Sequence, residues 1–167
     1  AAYDEQLMLI SYCGYCTLNG YSSNQRRMMM RHTERFRDGW LFRRGSADGV
    51  EKCDFDASDW QRVVVPHDWA IQGPFSSKYD AQFTKIVNNG ETAELLHFGR
   101  TGGLPHSGEG AYRRFFDIDH TQAGKTFYLE FDGVMSHSEI FVNGEYAGGR
   151  PYGYSSFVLN VTKHVKV

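Results

Sequence analysis

Several things are scarce in this sequence, and each scarcity excludes something. No stretch of about 18 apolar residues occurs, so no helical membrane span is expected. Cysteine is rare: Cys13, Cys16 and Cys53 are all there is in 167 residues. An odd number leaves at least one thiol unpaired, and three do not make a disulfide scaffold in a chain this long. Charge of one sign is missing too. Lys and Arg number 18 against 20 Asp and Glu, a formal net charge of −2. A dedicated nucleic-acid binder usually carries a strong basic excess, so that class is disfavoured. The chain is also too short for a (β/α)8 barrel, which needs about 200 residues or more.

The catalytic and metal motifs are equally thin. Cys13-Gly14-Tyr15-Cys16 is a single C-x-x-C. A structural zinc site takes four ligands, normally two such pairs, and Cys53 with His32 would complete a set only by coincidence of folding. A thioredoxin-like role needs a βαβ context, which the pattern lacks. The seven histidines show neither H-x-H nor H-E-x-x-H spacing, so neither a metal nor a cofactor is expected. There is no G-x-S-x-G elbow. Gly99-Arg100-Thr101-Gly102-Gly103 is glycine-rich but has no strand before it and no G-K-[ST]. Ser107 and Ser136 adjoin His106 and His137, but neighbouring side chains on a strand point to opposite faces, which argues against a nucleophile–base pair. Asp54, Asp56 and Asp59 invite comparison with the facing carboxylates of a glycosidase, which stand about 5–9.5 Å apart. The simpler reading is a turn that opens into Trp60, with Asp56 or Ser58 capping it.

What is abundant is aromatic. Tyr, Phe and Trp make up 15%, with 10 Tyr, 12 Phe and 18 Gly, a composition that suits strands and turns. Trp40-Leu41-Phe42-Arg43 reads as a short strand, and Arg62-Val63-Val64-Val65 as another that stops at Pro66. Tyr112–Ile118 places Tyr112, Arg114, Phe116 and Ile118 on one face at period two. In Thr126–Phe131, Phe127, Leu129 and Phe131 alternate with Tyr128 and Glu130, and Asp132-Gly133 ends the run. Glu139–Val142 meets Asn143-Gly144 and then Glu145-Tyr146-Ala147, the strongest short hairpin signal. Phe157, Leu159 and Val161 alternate again. Short strands with turn residues between them imply an all-β antiparallel sandwich or jelly roll. With no βαβ alternation, a parallel sheet is not expected.

Two regions break this rhythm. Residues 1–35 read as an N-terminal arm, in part helical, ahead of a domain over 36–167. The first 25 residues suit a tail or a first strand packed on that domain. Leu7-Met8-Leu9-Ile10 also resembles a short signal-peptide core, without the basic leader such a signal carries. Gln25–Phe36 is the best helix candidate, from the spacing of Met28, Met29, His32 and Phe36. Its arginines 26, 27, 31 and 35 read as a solvated face, since no nucleic-acid motif accompanies them. Between Trp69 and Tyr112 about forty residues carry weak strand patterns, consistent with a large surface loop region holding a short hairpin at Phe83–Val87.

One ordered series of motifs is more specific. It runs Asp38-Gly39-Trp40-x-Phe42, then Trp60-Gln61-Arg62-Val63-Val64-Val65-Pro66-His67-Asp68-Trp69, then Gly73-Pro74-Phe75. It continues with Gly103-Leu104-Pro105 and Gly108-x-Gly110-x-Tyr112-Arg113-Arg114-x-Phe116. Phe131-Asp132-Gly133-Val134-Met135-Ser136, Val142-Asn143-Gly144, Gly148, Pro151-Tyr152-Gly153-Tyr154 and Phe157 complete it. This series resembles the N-terminal sugar-binding domain of glycoside hydrolase family 2, in particular its β-galactosidase-like members, over roughly residues 36–165. One departure is Ala111, where the family usually has Trp.

The resemblance implies a jelly-roll β-sandwich, and it implies that the chain is a fragment. In the family an immunoglobulin-like domain and a catalytic barrel follow, and the two catalytic glutamates lie in the barrel. No catalytic residue is therefore expected here. Loops of the domain help close the sugar subsite. By that resemblance Asp80, Arg150 and Tyr152 are the sugar-contact candidates. A carboxylate and a guanidinium align with hydroxyls, and a tyrosine ring offers a face to sugar C–H groups. His67 and Asp68 fit better as groups that tie down a turn, and Trp60 and Trp69 as core. The implied parent reaction is hydrolysis of a terminal β-galactoside with retention. A stand-alone carbohydrate-binding module and a purely structural interaction module are the competing readings. Carbohydrate and the downstream domains are the expected partners, with no nucleic acid and no membrane span. The apolar tail and the family together imply a periplasmic or secreted bacterial location.

Overall fold

A computed structural model describes residues 3–10, 16–22, 32–76, 81–98 and 108–167. Among them the chain forms strands β1 (Tyr3–Ile10), β2 (Cys16–Ser22), β3 (His32–Arg35), β4 (Trp40–Arg44), β5 (Gln61–Val63), β6 (Ala81–Asn88), β7 (Glu91–Phe98), β8 (Gly110–Asp119), β9 (Lys125–Phe131), β10 (Ser138–Val142), β11 (Glu145–Arg150) and β12 (Phe157–Asn160). Helical structure among the described residues is confined to the single 3-10 turns Ala70–Gln72 and His120–Gln122. Two sheets, ordered β11-β10-β1-β8-β4-β5 and β12-β9-β2-β3, make an all-β sandwich; β6 and β7 form a separate two-stranded sheet. All pairings are antiparallel. By compactness the chain divides into one unit of residues 1–67 with 109–167 and a second of 68–108.

The period-two patterns put the core where the sequence places it. Phe116 and Ile118 of β8, Ile140 and Val142 of β10, and Phe127, Leu129 and Phe131 of β9 are all buried. Phe36 packs on Phe116 with ring centroids 5.1 Å apart, and Phe131 stacks on Phe157 at 4.7 Å. Each such side chain contributes about 1.5–3 kcal/mol through removal from water. The sheets come close where β11 passes β12: a Cβ on Gly148 would stand 2.8 Å from Leu159 Cδ2.

The outer face of β8 carries a second apolar layer. There the segment 46–60 folds back so that Ala57 and Trp60 pack on Ala111, with Leu41, Val50, Phe55 and Phe141 around them. Ala111 is 2% exposed, so the position where the resemblance led one to expect an indole is covered by this layer. The expected turn ahead of Trp60 is present: the Ser58 amide donates to Asp56 Oδ1 at 2.9 Å, and the Trp60 amide to the Ala57 carbonyl.

The structure differs from the sequence reading in three places. Where a helix was expected over Gln25–Phe36, His32–Arg35 is strand, paired with β2 in the register Thr17↔Arg35; residues 25–31 lie outside the described residues. β3 is an edge strand with all four side chains exposed, so it has no period-two signal. Phe36 is buried because it lies beyond the strand and packs on Phe116, and its spacing from His32 only mimics a helical one. The stretch read as an arm carries β1 inside the six-stranded sheet and β2 inside the four-stranded one, as the first-strand alternative had it. Third, the expected short hairpin at Phe83–Val87 is two strands of eight residues. Their apolar residues fall on both faces, which blurs the alternation. Asn89-Gly90 closes it with φ of +50° and +83°, and Asn143-Gly144 closes β10–β11 with +53° and +85°, the conformation a two-residue hairpin turn demands.

A pH prediction arises from the turn at β9. Asp119 Oδ1 accepts the Thr121 amide at 2.7 Å. That backbone bond, then the Thr121 side chain, holds the Asp119 carboxyl below its ordinary value. Asp56 is lowered in the same way by Ser58. A carboxylate with a depressed folded pKa stabilises above its unfolded pKa, and the contribution is lost as pH falls through the folded value. Urea midpoints of the native chain and Asp119→Ala should therefore differ at neutral pH and converge in acid. A gap that widens toward low pH contradicts the cap.

Candidate functional site

The site is built at the open end of the β10–β11 hairpin. Ser138 and Arg150 are the last pair of that ladder. The buried Ser138 hydroxyl accepts the Arg150 amide at 3.1 Å and donates to the Arg150 carbonyl at 3.2 Å. One step further the His137 amide donates to the Pro151 carbonyl at 3.0 Å. The hairpin thus continues into two loops, 132–137 and 151–156, laid side by side. Glycine permits this closeness. A Cβ on Gly153 would meet Met135 Cα at 2.7 Å, and one on Gly133 would meet the Gly153 carbonyl at 3.0 Å.

Holding Gly153 down turns its neighbours outward. Tyr152 is 60% exposed and Tyr154 76%, with their rings 5.7 Å apart and inclined at 55°. Met135, 40% exposed, stands on the facing loop. Arg150 is braced from below: Nη1 donates to the Ser156 carbonyl at 3.0 Å, and the guanidinium lies 5.8 Å from the ring of Phe157. Two ring faces beside a fixed multidentate donor can present an apolar and a polar contact to one ligand, which is what a sugar with a C–H face and a hydroxyl rim requires.

Of the sugar-contact candidates, Arg150 and Tyr152 thus share one segment; Asp80 lies outside the described residues. Tyr154 and Met135 were not among the candidates. Tyr-Gly-Tyr does not signal this by itself, since both tyrosines turn outward only because Met135 and Val134 hold Gly153 inside. Ser138 left no signal, because its role depends on a partner twelve residues away.

The remaining sequence candidates separate from this surface. Ser136 and His137 do meet, Oγ to Nδ1 at 3.3 Å, contrary to the strand-face argument. They sit in a turn, with φ of +55° at His137, and both are at least partly open to solvent. His106 and Ser107 fall outside the described residues. Asp68 Oδ1 accepts the Ala70 amide at 3.1 Å and so ties down a turn as expected. His67 instead uses Nδ1 on the Tyr112 hydroxyl at 2.9 Å, with its ring 4.9 Å from Phe42. Trp60 and Trp69 are 6% and 4% exposed, buried as expected. Cys53 is exposed and free. Among the described residues no group of three or more His, Cys, Asp or Glu is placed to hold a metal ion.

A family model described as "Glycosyl hydrolases family 2, sugar binding domain" matches residues 40–167. The chain belongs to glycosyl hydrolase family 2. Within family 2 it is 35% identical over 147 residues to the β-galactosidase BoGH2A of Bacteroides ovatus, an alignment covering 88% of this chain and 15% of that protein. It is 25% identical over 139 residues to a β-galactosidase of Thermoanaerobacter pseudethanolicus, covering 83% and 15%. It is 28% identical over 108 residues to a β-glucuronidase of Bacteroides fragilis, covering 65% and 12%. The chain therefore matches a small part, 12–15%, of the length of these relatives. The Tyr152–Tyr154 surface lies inside the region matched by the family 2 sugar-binding model.

Proposed function

We propose that this family 2 domain walls one side of the sugar subsite of a retaining β-galactosidase-like exo-glycosidase. It packs there against a catalytic barrel that supplies both glutamates, with an immunoglobulin-like domain between them in sequence. The parent reaction is hydrolysis of a terminal β-galactoside through a covalent glycosyl-enzyme. Two β-galactosidases among the relatives support the galactoside. The observation that carries the reading is the exposed Tyr152–Tyr154 pair, fixed by the Gly153–Met135 contact beside the braced Arg150. Tyr152 stacks on the sugar's C–H face and Arg150 donates to its hydroxyls; Asp80 stays a sugar-contact candidate by resemblance alone.

The assay is hydrolysis of a chromogenic β-galactoside. The 167-residue chain alone turns nothing over; turnover well above blank overturns the placement of catalysis elsewhere. In a polypeptide that also carries the barrel, Tyr152→Ala and Tyr154→Ala each raise KM about five- to tenfold, the loss of one stacking contact. An unchanged KM in both removes the aromatic pair from the sugar site. The same exposed pair also favours a second reading, a stand-alone carbohydrate-binding module. Sub-millimolar binding of galactose or an oligosaccharide by the isolated chain, lost on Tyr152→Ala, supports the module; silence supports the accessory role.

A further inference from the structure

Among the described strands, β6 and β7 hydrogen-bond only to each other. A two-stranded hairpin is marginal in water without a further surface to cover it. This one leaves Phe83 74%, Val87 67% and Leu96 45% exposed on one face, and Ile86 43% and Leu95 44% on the other. Contiguous exposed apolar residues of this size mark an interaction site.

Register decides which face and which partner. Side chains alternate along a strand, and the pairs are Phe83↔Leu96, Lys85↔Glu94 and Val87↔Thr92. Between Phe83 and Val87 the more exposed face therefore has three rungs. One is apolar on both strands, the middle one carries a cation on β6 and an anion on β7, and the third pairs Val87 with Thr92. Stack a second copy on this face about a two-fold axis parallel to the strands. Each β6 then lies over the partner's β7, level by level. Phe83 covers Leu96 twice, and Lys85 comes to face Glu94 twice across the interface. The opposite face lacks this match, since Glu91 is its one carboxylate and it has no Lys or Arg from Phe83 to His97. We propose that this face binds a second copy of the chain, forming an isologous dimer.

Sedimentation velocity of the 167-residue chain from about 1 to 300 µM reads the association. The expected result is a concentration-dependent dimer. Phe83→Ser raises its dissociation constant about tenfold or more, because the most exposed aromatic anchor of the face is lost from both halves. The decisive arm is the double variant Lys85→Glu with Glu94→Lys. It keeps the cross-strand pair inside each hairpin, so it dimerises with itself within about threefold of the native affinity. It repels the native face, so mixed dimers fall about tenfold or more below their statistical share. Circular dichroism confirms that each variant keeps its strand signal. A chain that stays monomeric over the range overturns the proposal and leaves the face to a different partner. A dimer indifferent to Phe83→Ser, or mixed dimers formed at the statistical share, overturns it as well.

Discussion

Arg113→Ala is expected to lower the unfolding free energy by about 3–5 kcal/mol, the largest single-residue effect foreseen for this chain. Arg113 is 0% exposed. Its Nη1 donates to the Val50 carbonyl at 3.0 Å, and its Nη2 to the carbonyls of Lys52 and Cys53, both at 2.8 Å. Its guanidinium also lies 5.7 Å from the Phe55 ring and 5.5 Å from that of Phe115. Burial pulls its pKa down from the ordinary arginine value, while Cys53 and Asp54 act in the opposite direction. One side chain thus clasps the segment that lays Trp60 and Ala57 over the outer face of β8. Truncation leaves three part-buried carbonyls without their donor, and an unsatisfied group costs up to about 1–3 kcal/mol as far as water is kept from it. Arg113→Lys keeps the charge, but a compact ammonium cannot span three acceptors. It should recover less than half of the loss. Urea denaturation of the three proteins measures the series. A change under about 1 kcal/mol for alanine means that the segment holds itself in place.

Gly149→Ala comes next, at about 3 kcal/mol or more. Gly149 pairs with Glu139 in the β10–β11 ladder. An added Cβ would overlap the Ser138 carbonyl and stand 3.0 Å from the Ser138 carbonyl carbon and 3.3 Å from Glu139 Cα. These are backbone atoms, so no side-chain rotation relieves the contact. The strands must part where Ser138 grips Arg150, and the displacement passes into the loop that carries Tyr152 and Tyr154. Stability and any sugar contact should fall together. Gly153→Ala separates the two effects. Its clash with Met135 is local to the two loops, so it should loosen the tyrosine pair at a smaller cost in stability. A Gly149→Ala protein with native stability would mean that the ladder opens there at little cost.

The sandwich was legible because half-buried antiparallel strands write their faces into the chain. Phe127, Leu129 and Phe131 alternate, and so do Tyr112, Phe116 and Ile118. Asn143-Gly144 marks its hairpin because few other residues accept positive φ twice in succession. β3 was not legible, since an edge strand exposed on all four residues has no face to declare. The β6–β7 hairpin was only half legible, because apolar residues on both faces cancel the alternation. Arg113 was quoted in the motif series, yet nothing near it in sequence shows that its acceptors lie some sixty residues upstream.

By itself the sequence determined the fold class, the family and the absence of a local catalytic motif, because these rest on periodicity and on short motifs read in order. The tertiary structure alone decided that Tyr154 joins Tyr152 on one surface, that Ser138 and Gly153 hold that surface, and that a buried arginine clasps the outer layer. Each of these depends on which backbones come within a Cβ of one another or of a distant side chain. That distance is set by the packing of separate strands and loops, and no spacing along the chain encodes it.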